Sequence, residues 1–161
     1  PLVEAGVNIT YHEHRILKPD FSKPMVPHFS LNNNVIIFSL FPGIREDLIR
    51  HIIATPNLQA IVMRTFGSGN APQSPWLMKA LKDARKYGKI IVNISQCMQG
   101  SVEMSRYDTG YHLQEAGVIS GHDSTVESAV TKLMFLQARY TDIDEIRSMM
   151  SKSIRGEISL A

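Results

Sequence analysis

The sequence predicts a small three-layer α/β domain in which about four parallel strands are covered by helices. Three observations lead to this prediction. Short apolar runs rich in β-branched residues alternate with segments that repeat apolar residues at helical spacing. The runs are nearly continuously apolar, as is typical of strands buried on both faces. The connections between successive elements are short, which favours a parallel sheet with helical crossovers.

The first 34 residues differ from the rest of the chain. Residues 7–11 alternate apolar and polar side chains and are compatible with an edge strand. Three prolines follow within nine residues, and each fixes φ and removes a backbone donor. They are Pro19, Pro24 and Pro27. We predict an extended loop over 18–34, and interpret 1–34 as a connector that leads into a domain over 35–161.

The first strand and helix of this domain follow directly. Residues 35–41 form an apolar, β-branched and aromatic run that predicts a strand, ended by Pro42-Gly43. Residues 45–54 repeat apolar side chains at helical spacing. A second strand is predicted over 58–66.

The middle of the chain repeats this order. Ser74 and Pro75 are suited to the N-cap and first turn of a helix, and Gly88 is suited to the position after its last turn. Residues 89–95 then predict a third strand. A loop is expected over 96–109.

The last third adds one strand and three helices. Residues 110–116 predict a short helix, and 117–119 a short fourth strand. Ser124 and Glu127 have the spacing of a capping box, with Ser124 as N-cap of a long helix. A last helix is expected over about 142–151. The whole pattern is that of a Rossmann-like α/β domain.

Candidate binding residues follow the predicted strands, because ligands of open parallel sheets bind at the carboxyl ends of the strands. The turn Gly67-Ser68-Gly69-Asn70 follows the second strand, and its glycines permit close backbone approach to a ligand. Asn70 can both donate and accept hydrogen bonds to a small polar ligand. The turn lacks the full motif of a nucleotide-binding loop, so a simple glycine-rich connector is the alternative.

Arg64 and Cys97 also lie at predicted strand ends. A buried arginine needs a carboxylate partner. Arg64 therefore either pairs with Glu103, Asp123 or Glu127, or binds the carboxylate of a ligand through two hydrogen bonds. Cys97 follows an apolar strand and has no neighbouring histidine, which favours a buried, inert thiol.

Composition excludes several classes of protein. The chain has 161 residues, 43% hydrophobic and 20% charged, which suits one globular domain. No apolar run approaches the ~18 residues of a membrane span, and a net charge of +2 predicts no strong attraction to nucleic acid. The single cysteine can form neither an intrachain disulfide nor a zinc cluster. We expect no metal, no cofactor and no membrane or nucleic-acid partner.

Three sequence strings together resemble the C-terminal domain of type I L-asparaginases. They are FGSGNAP at 66–72, NISQCMQG at 93–100 and AGVISGHD at 116–123, in the order and spacing of that family. The resemblance extends over about 41–157. It implies a cytoplasmic enzyme that hydrolyses L-asparagine to L-aspartate and ammonia. The catalytic threonines, aspartate and lysine of this family lie in its N-terminal domain, so the resemblance places no catalytic residue in this chain.

The resemblance assigns supporting roles to four residues. Asn70 and Glu103 are expected to bind substrate at the site of a neighbouring subunit across a dimer. Arg64 and Cys97 are expected to contact asparagine as an effector, with Arg64 on its α-carboxylate. The implied partners are the protein's own N-terminal domain and further copies in a homodimer or tetramer. Because the chain starts with Pro1 rather than methionine, we expect a fragment of a longer protein. Since the resemblance places the catalytic residues in the N-terminal domain, we expect this fragment to be inactive alone.

Two other functions stay open. A component of a tRNA-dependent amidotransferase would have the same architecture, although the near-neutral charge and the Gln96-Cys97 loop argue against it. A stand-alone module for ligand binding or oligomerisation is the other alternative.

Overall fold

The computed structural model describes residues 2–98, 100–104 and 108–159. Within these residues it contains six strands, five α-helices and one 3-10 turn at Glu13–Arg15. The strands are β1 (Val3–Ala5), β2 (Ile9–Tyr11), β3 (Val35–Ser39), β4 (Ala60–Thr65), β5 (Ile90–Ser95) and β6 (Ile119–Ser120). The helices are α1 (Glu46–Ile53), α2 (Pro75–Lys86), α3 (Asp108–Glu115), α4 (Val126–Arg139) and α5 (Ile143–Met150). None of the described helices has the length and apolar character needed to cross a bilayer.

Four parallel strands form the main sheet in the order β3-β4-β5-β6. Ile37, Val62, Val92 and Ile119 lie side by side across it. The central strands β4 and β5 are buried along almost their whole length, as their continuous apolar sequence requires. This confirms the predicted sheet of four parallel strands.

Helices cover both faces of the sheet, and the alternation of side chains along the strands separates two apolar clusters. Met63 of β4 packs with the face covered by α1, α2 and α3, where Ile49, Leu77 and Leu113 are buried. Val62 belongs to the opposite face, where α4 and α5 bury their own apolar side chains. The predicted three-layer architecture is therefore confirmed.

The N-terminal residues form a small sheet of their own. β1 and β2 pair as an antiparallel hairpin with Val3 opposite Tyr11, apart from the main sheet. β2 covers three of the five residues of the predicted edge strand. Residues 16–34 contain neither helix nor strand, in agreement with the predicted extended loop.

Two local predictions are wrong by one or two residues. The N-cap of α4 is Thr125, whose hydroxyl accepts a hydrogen bond from the Ser128 amide at 3.2 Å. Ser124 instead donates its amide to the Gly121 carbonyl at 3.0 Å in the turn after β6, so the helix begins one residue later than the capping box predicts. Gly117 has a φ of +84° and ends the preceding helix, which delays the fourth strand to Ile119.

A nearly buried ion pair fixes the C-terminal segment. Lys132 of α4 lies 2.6 Å from Glu157, and their side chains are 5% and 15% exposed. Burial raises the pKa of Glu157, but the hydrogen bond from Lys132 and those from the amides of Arg155 and Ile154 lower it to about 2. Residues 154–157 are thereby tied to α4.

Candidate functional site

The carboxyl edge of the main sheet gathers three loops, which follow β4, β5 and β6. The amide of Glu103, after β5, donates to the carbonyl of Ser68, after β4, at 3.1 Å. The amide of Val102 donates to the carbonyl of His122, after β6, at 2.9 Å. Ser120 completes the connection by donating its hydroxyl to the Val102 carbonyl at 3.0 Å. The loops after β4, β5 and β6 are therefore brought together at one edge of the sheet.

The glycine turn after β4 is closed by its own backbone. The Phe66 amide donates to the Asn70 carbonyl at 2.9 Å, and the Asn70 amide donates back at 2.8 Å. Gly69 has a φ of +103°, and a Cβ atom there would lie 2.7 Å from Val102 Cγ1. Only glycine fits such a conformation at such a close approach. The turn therefore holds Asn70 in a defined place at the edge of the sheet.

Asn70 and Glu103 lie on neighbouring loops of this edge. The Glu103 amide binds the carbonyl two residues before Asn70, which fixes the two segments relative to each other. Asn70 is partly buried, whereas Glu103 is exposed. The two loops therefore place one amide side chain and one carboxylate side chain at the same edge of the sheet.

Arg64 occupies the opposite face of the sheet, which it shares with Ala60 and Val62. Its Nε atom is buried and has no hydrogen-bond partner. The ion pair with Glu103, Asp123 or Glu127 that the sequence leaves open is not formed, because no ion pair in the described part of the chain includes Arg64. An unsatisfied guanidinium nitrogen is suited to receive an oxygen of a bound carboxylate.

Cys97 is exposed, so the interpretation of a buried thiol is wrong. β5 ends at Ser95, and the chain then leaves the sheet. The Gln96 side chain turns inward and donates to the carbonyls of Leu40 and Arg64, at 2.7 and 3.0 Å. Cys97, one residue further, is left in the exposed loop. Gln96 also brings this loop to the end of the strand that carries Arg64.

Two polar side chains of β5 that were not predicted as site residues contact the glycine turn. Asn93 donates to the Gly69 carbonyl at 3.0 Å, and Ser95 donates to the Gly67 carbonyl at 2.6 Å. Asn93 is fully buried and Ser95 is 9% exposed. The signal for them was present in the sequence as two polar residues inside an otherwise apolar strand.

One acidic side chain at this edge, Asp123, forms hydrogen bonds within the fold. Partial burial raises the pKa of Asp123, but hydrogen bonds from Ser159 outweigh burial and hold the pKa below its usual range. The Ser159 amide lies 2.7 Å from the carboxylate. Asp123 thus ties down the C-terminal segment. No three His, Cys, Asp or Glu side chains of the described residues converge as a metal site.

Comparison with known proteins places this geometry in context. Residues 34–150 match the family described as Glutaminase/Asparaginase C-terminal domain. The chain is 36% identical to L-asparaginase 1 of Escherichia coli over 99% of its own length and 46% of that protein. It is 37% identical to the human 60 kDa lysophospholipase over 99% of its length and 28% of that protein.

One further relative and one solved structure bear on the alternatives. A glutamyl-tRNA(Gln) amidotransferase component of Sulfolobus acidocaldarius is 34% identical over 80% of the chain and 28% of that protein. The crystal structure of L-asparaginase I from Vibrio cholerae superposes with a TM-score of 0.87 at 38% identity, covering 99% of this chain and 48% of that one. The chain spans half or less of the length of each of these proteins.

Proposed function

The chain belongs to the family of glutaminase/asparaginase C-terminal domains, and from this we propose that it serves the hydrolysis of L-asparagine to L-aspartate and ammonia as the C-terminal half of a longer amidohydrolase. The observation that carries this proposal is the carboxyl edge of the sheet. There a closed glycine turn presents Asn70 beside the loop of Glu103.

The nucleophile and its base come from another part of the enzyme. In the described residues, no serine, threonine or cysteine side chain is hydrogen-bonded to the side chain of a histidine. Acyl-transfer enzymes activate a nucleophile through such an adjacent base. Asn70 and Glu103 would bind and orient substrate at an active site that an N-terminal domain completes.

The N-terminal segment supplies a surface for that domain. Of the 19 large apolar side chains that are exposed in the described residues, 12 lie in residues 2–31. Exposed apolar surface of this density is typical of an interaction site. In the proposed full-length protein the hairpin and connector pack against the N-terminal domain.

The full-length protein of this proposal forms a homodimer or tetramer in the cytoplasm. Asn70 and Glu103 lie on neighbouring loops at one edge of the sheet. A second subunit would place its own active site against them. L-asparagine is the substrate, and no cofactor takes part.

Arg64 and Cys97 form part of a second asparagine site, which regulates the enzyme. The buried, unpartnered Nε atom of Arg64 supports this, because a bound α-carboxylate would satisfy it. Arg64→Ala in the full-length protein should remove any sigmoidal dependence of rate on asparagine. Replacement of the exposed Arg45, which pairs with Asp47, is the matched control. A curve unchanged by Arg64→Ala removes Arg64 from this role.

The relative in Sulfolobus acidocaldarius supports one alternative, a component of a tRNA-dependent amidotransferase. The full-length protein decides between the two when it is given L-asparagine, L-glutamine or glutamyl-tRNA(Gln) in turn. Ammonia released from free asparagine without tRNA supports the asparaginase. Release that depends on the charged tRNA supports the amidotransferase. The stand-alone module predicts release from neither.

A further inference from the structure

We propose that Asn93 and Ser95 are positioning residues that hold the glycine turn and thereby place Asn70 for the reaction. This inference deepens the proposed function and rests on it. Neither residue faces the candidate ligand site as a free group, because both use their side chains on the turn.

Three consecutive carbonyls of the turn are bound by donors outside it. The Gly67 carbonyl accepts from Ser95 Oγ at 2.6 Å, and the Gly69 carbonyl accepts from Asn93 Nδ2 at 3.0 Å. The Ser68 carbonyl between them accepts from the Glu103 amide at 3.1 Å. A four-residue turn closes with its own backbone bonds alone. Three further donors fix its position relative to the sheet.

The orientation of the Asn93 amide is itself set by a neighbour. Thr65 Oγ donates to Asn93 Oδ1 at 2.6 Å, which leaves Nδ2 to face the Gly69 carbonyl. Both residues are fully buried. A buried amide costs free energy unless its groups are hydrogen-bonded, so an apolar side chain would suit this strand position better if only packing mattered. The buried amide of Asn93 is instead used to hold the turn.

Ser95 connects the turn to the loop that carries Cys97. Its hydroxyl oxygen accepts from the Cys97 amide at 2.9 Å while its hydrogen is donated to Gly67. A Cβ atom on Gly100 would collide with this oxygen, so the loop folds directly over it. One hydroxyl thus fixes both loops next to the candidate substrate site.

The other end of β5 offers a matched control. Lys89, 8% exposed, donates its Nζ to the carbonyls of Leu58 and Thr55 at 2.6 and 3.3 Å. It braces a loop in the same way as Ser95 and Asn93, but at the amino edge of the sheet. Lys89→Met should lower stability and leave the kinetics of asparagine hydrolysis unchanged.

The first test is a double-mutant cycle in the full-length protein. Ser95→Ala should lower kcat/KM about fivefold, the effect of one lost hydrogen bond, and Asn93→Ala by more. In each variant the loss should be divided between kcat and KM in the same ratio as in Asn70→Ala. In the Asn70→Ala background, Ser95→Ala should have no further effect, because residues that act through one group are not additive. Additive losses overturn the inference.

The second test needs no activity. Hydrogen exchange of the Gly69 and Asn70 amides, which bind the Phe66 carbonyl, should become faster in Ser95→Ala and stay unchanged in Lys89→Met. Unchanged exchange in Ser95→Ala overturns the inference even if Asn93→Ala fails to fold. The inference is also overturned if exchange becomes faster in Ser95→Ala but Asn70→Ala hydrolyses asparagine with wild-type kinetics. In that case the unchanged kinetics of Asn70→Ala show that the proposed function is the part that failed.

Discussion

The two regions 2–34 and 35–159 differ in the burial of their apolar side chains. In the second region the large apolar side chains fill two cores between the sheet and its helices. In the first region most of them are exposed: Phe21 and Phe29 are each 92% exposed and Met25 is 90% exposed. Full burial of such a side chain contributes roughly 1.5–3 kcal/mol. The large apolar side chains of residues 2–31 are all at least 44% exposed, so the first region gains only part of this within the chain.

The boundary between the two regions is well fixed. The amide of Asn32 donates to the carbonyl of Met134 in α4 at 3.0 Å, and its side chain donates to Gln59 at 2.7 Å. From Asn34 onward the backbone joins the main sheet through bonds to Gln59 and Ala60. Residues 35–159 are therefore stabilised by their own contacts, whereas the segment before them leaves its apolar side chains exposed.

The largest predicted effect tests the core of the second region. Leu133 of α4 is fully buried, and Leu133→Ala should lower the free energy of unfolding by about 3 kcal/mol. Chemical denaturation of the 161-residue chain measures this. A loss below about 1 kcal/mol would mean that α4 is not packed on the sheet as described.

The next effect concerns the ion pair that holds the C-terminal segment. Glu157→Gln leaves Lys132 charged and nearly buried without its partner, and should cost about 2 kcal/mol near neutral pH. The pKa of Glu157 is lowered from 4.5 to about 2 in the folded chain. Its stabilisation is therefore complete above the unfolded value and is lost as the pH falls from about 5 towards 2.

Denaturation as a function of pH checks this effect. The Glu157→Gln variant should show a smaller loss of stability over this pH range than the original chain. Glu145→Gln, at an exposed position of α5, is the matched control and should leave the pH dependence as it is. Equal pH dependence in all three proteins would contradict the role of the Lys132–Glu157 pair.

The smallest effect belongs to the first region. Leu31 is 62% exposed, and Leu31→Ala should change the stability of the chain by less than about 0.5 kcal/mol. It is the direct counterpart of Leu133→Ala, since both remove the same atoms. If Leu31→Ala destabilises the 161-residue chain as much as Leu133→Ala does, the distinction between the two regions fails.

Sequence patterns predicted the sheet well because its strands carry their own signal. The runs at β4 and β5 are mostly apolar and rich in β-branched residues, as is typical of a buried parallel strand. β1 was missed, since its three exposed residues have no such pattern. The N-cap of α4 was misplaced because Ser124 is used by the preceding turn, a contact that the spacing of a capping box does not reveal.

The candidate site was predicted in part. Strand ends located Arg64 and the turn of Asn70, because parallel strands bring their carboxyl ends to one edge. The exposure of Cys97 depends on the path that the chain takes after Gln96 binds two carbonyls, and periodicity carries no information about that path. Asn93 was visible as a polar residue in an apolar strand, but its partner Gly69 is 24 residues away.

The most direct test of the account is the release of ammonia from L-asparagine by two proteins measured side by side. The full-length protein that contains this chain should release ammonia, and the 161-residue chain alone, folded by the criterion of cooperative unfolding, should release none. Asparagine hydrolysis by the isolated chain, or its absence from the full-length protein, would contradict the claim that this domain completes an amidohydrolase whose catalytic groups lie elsewhere.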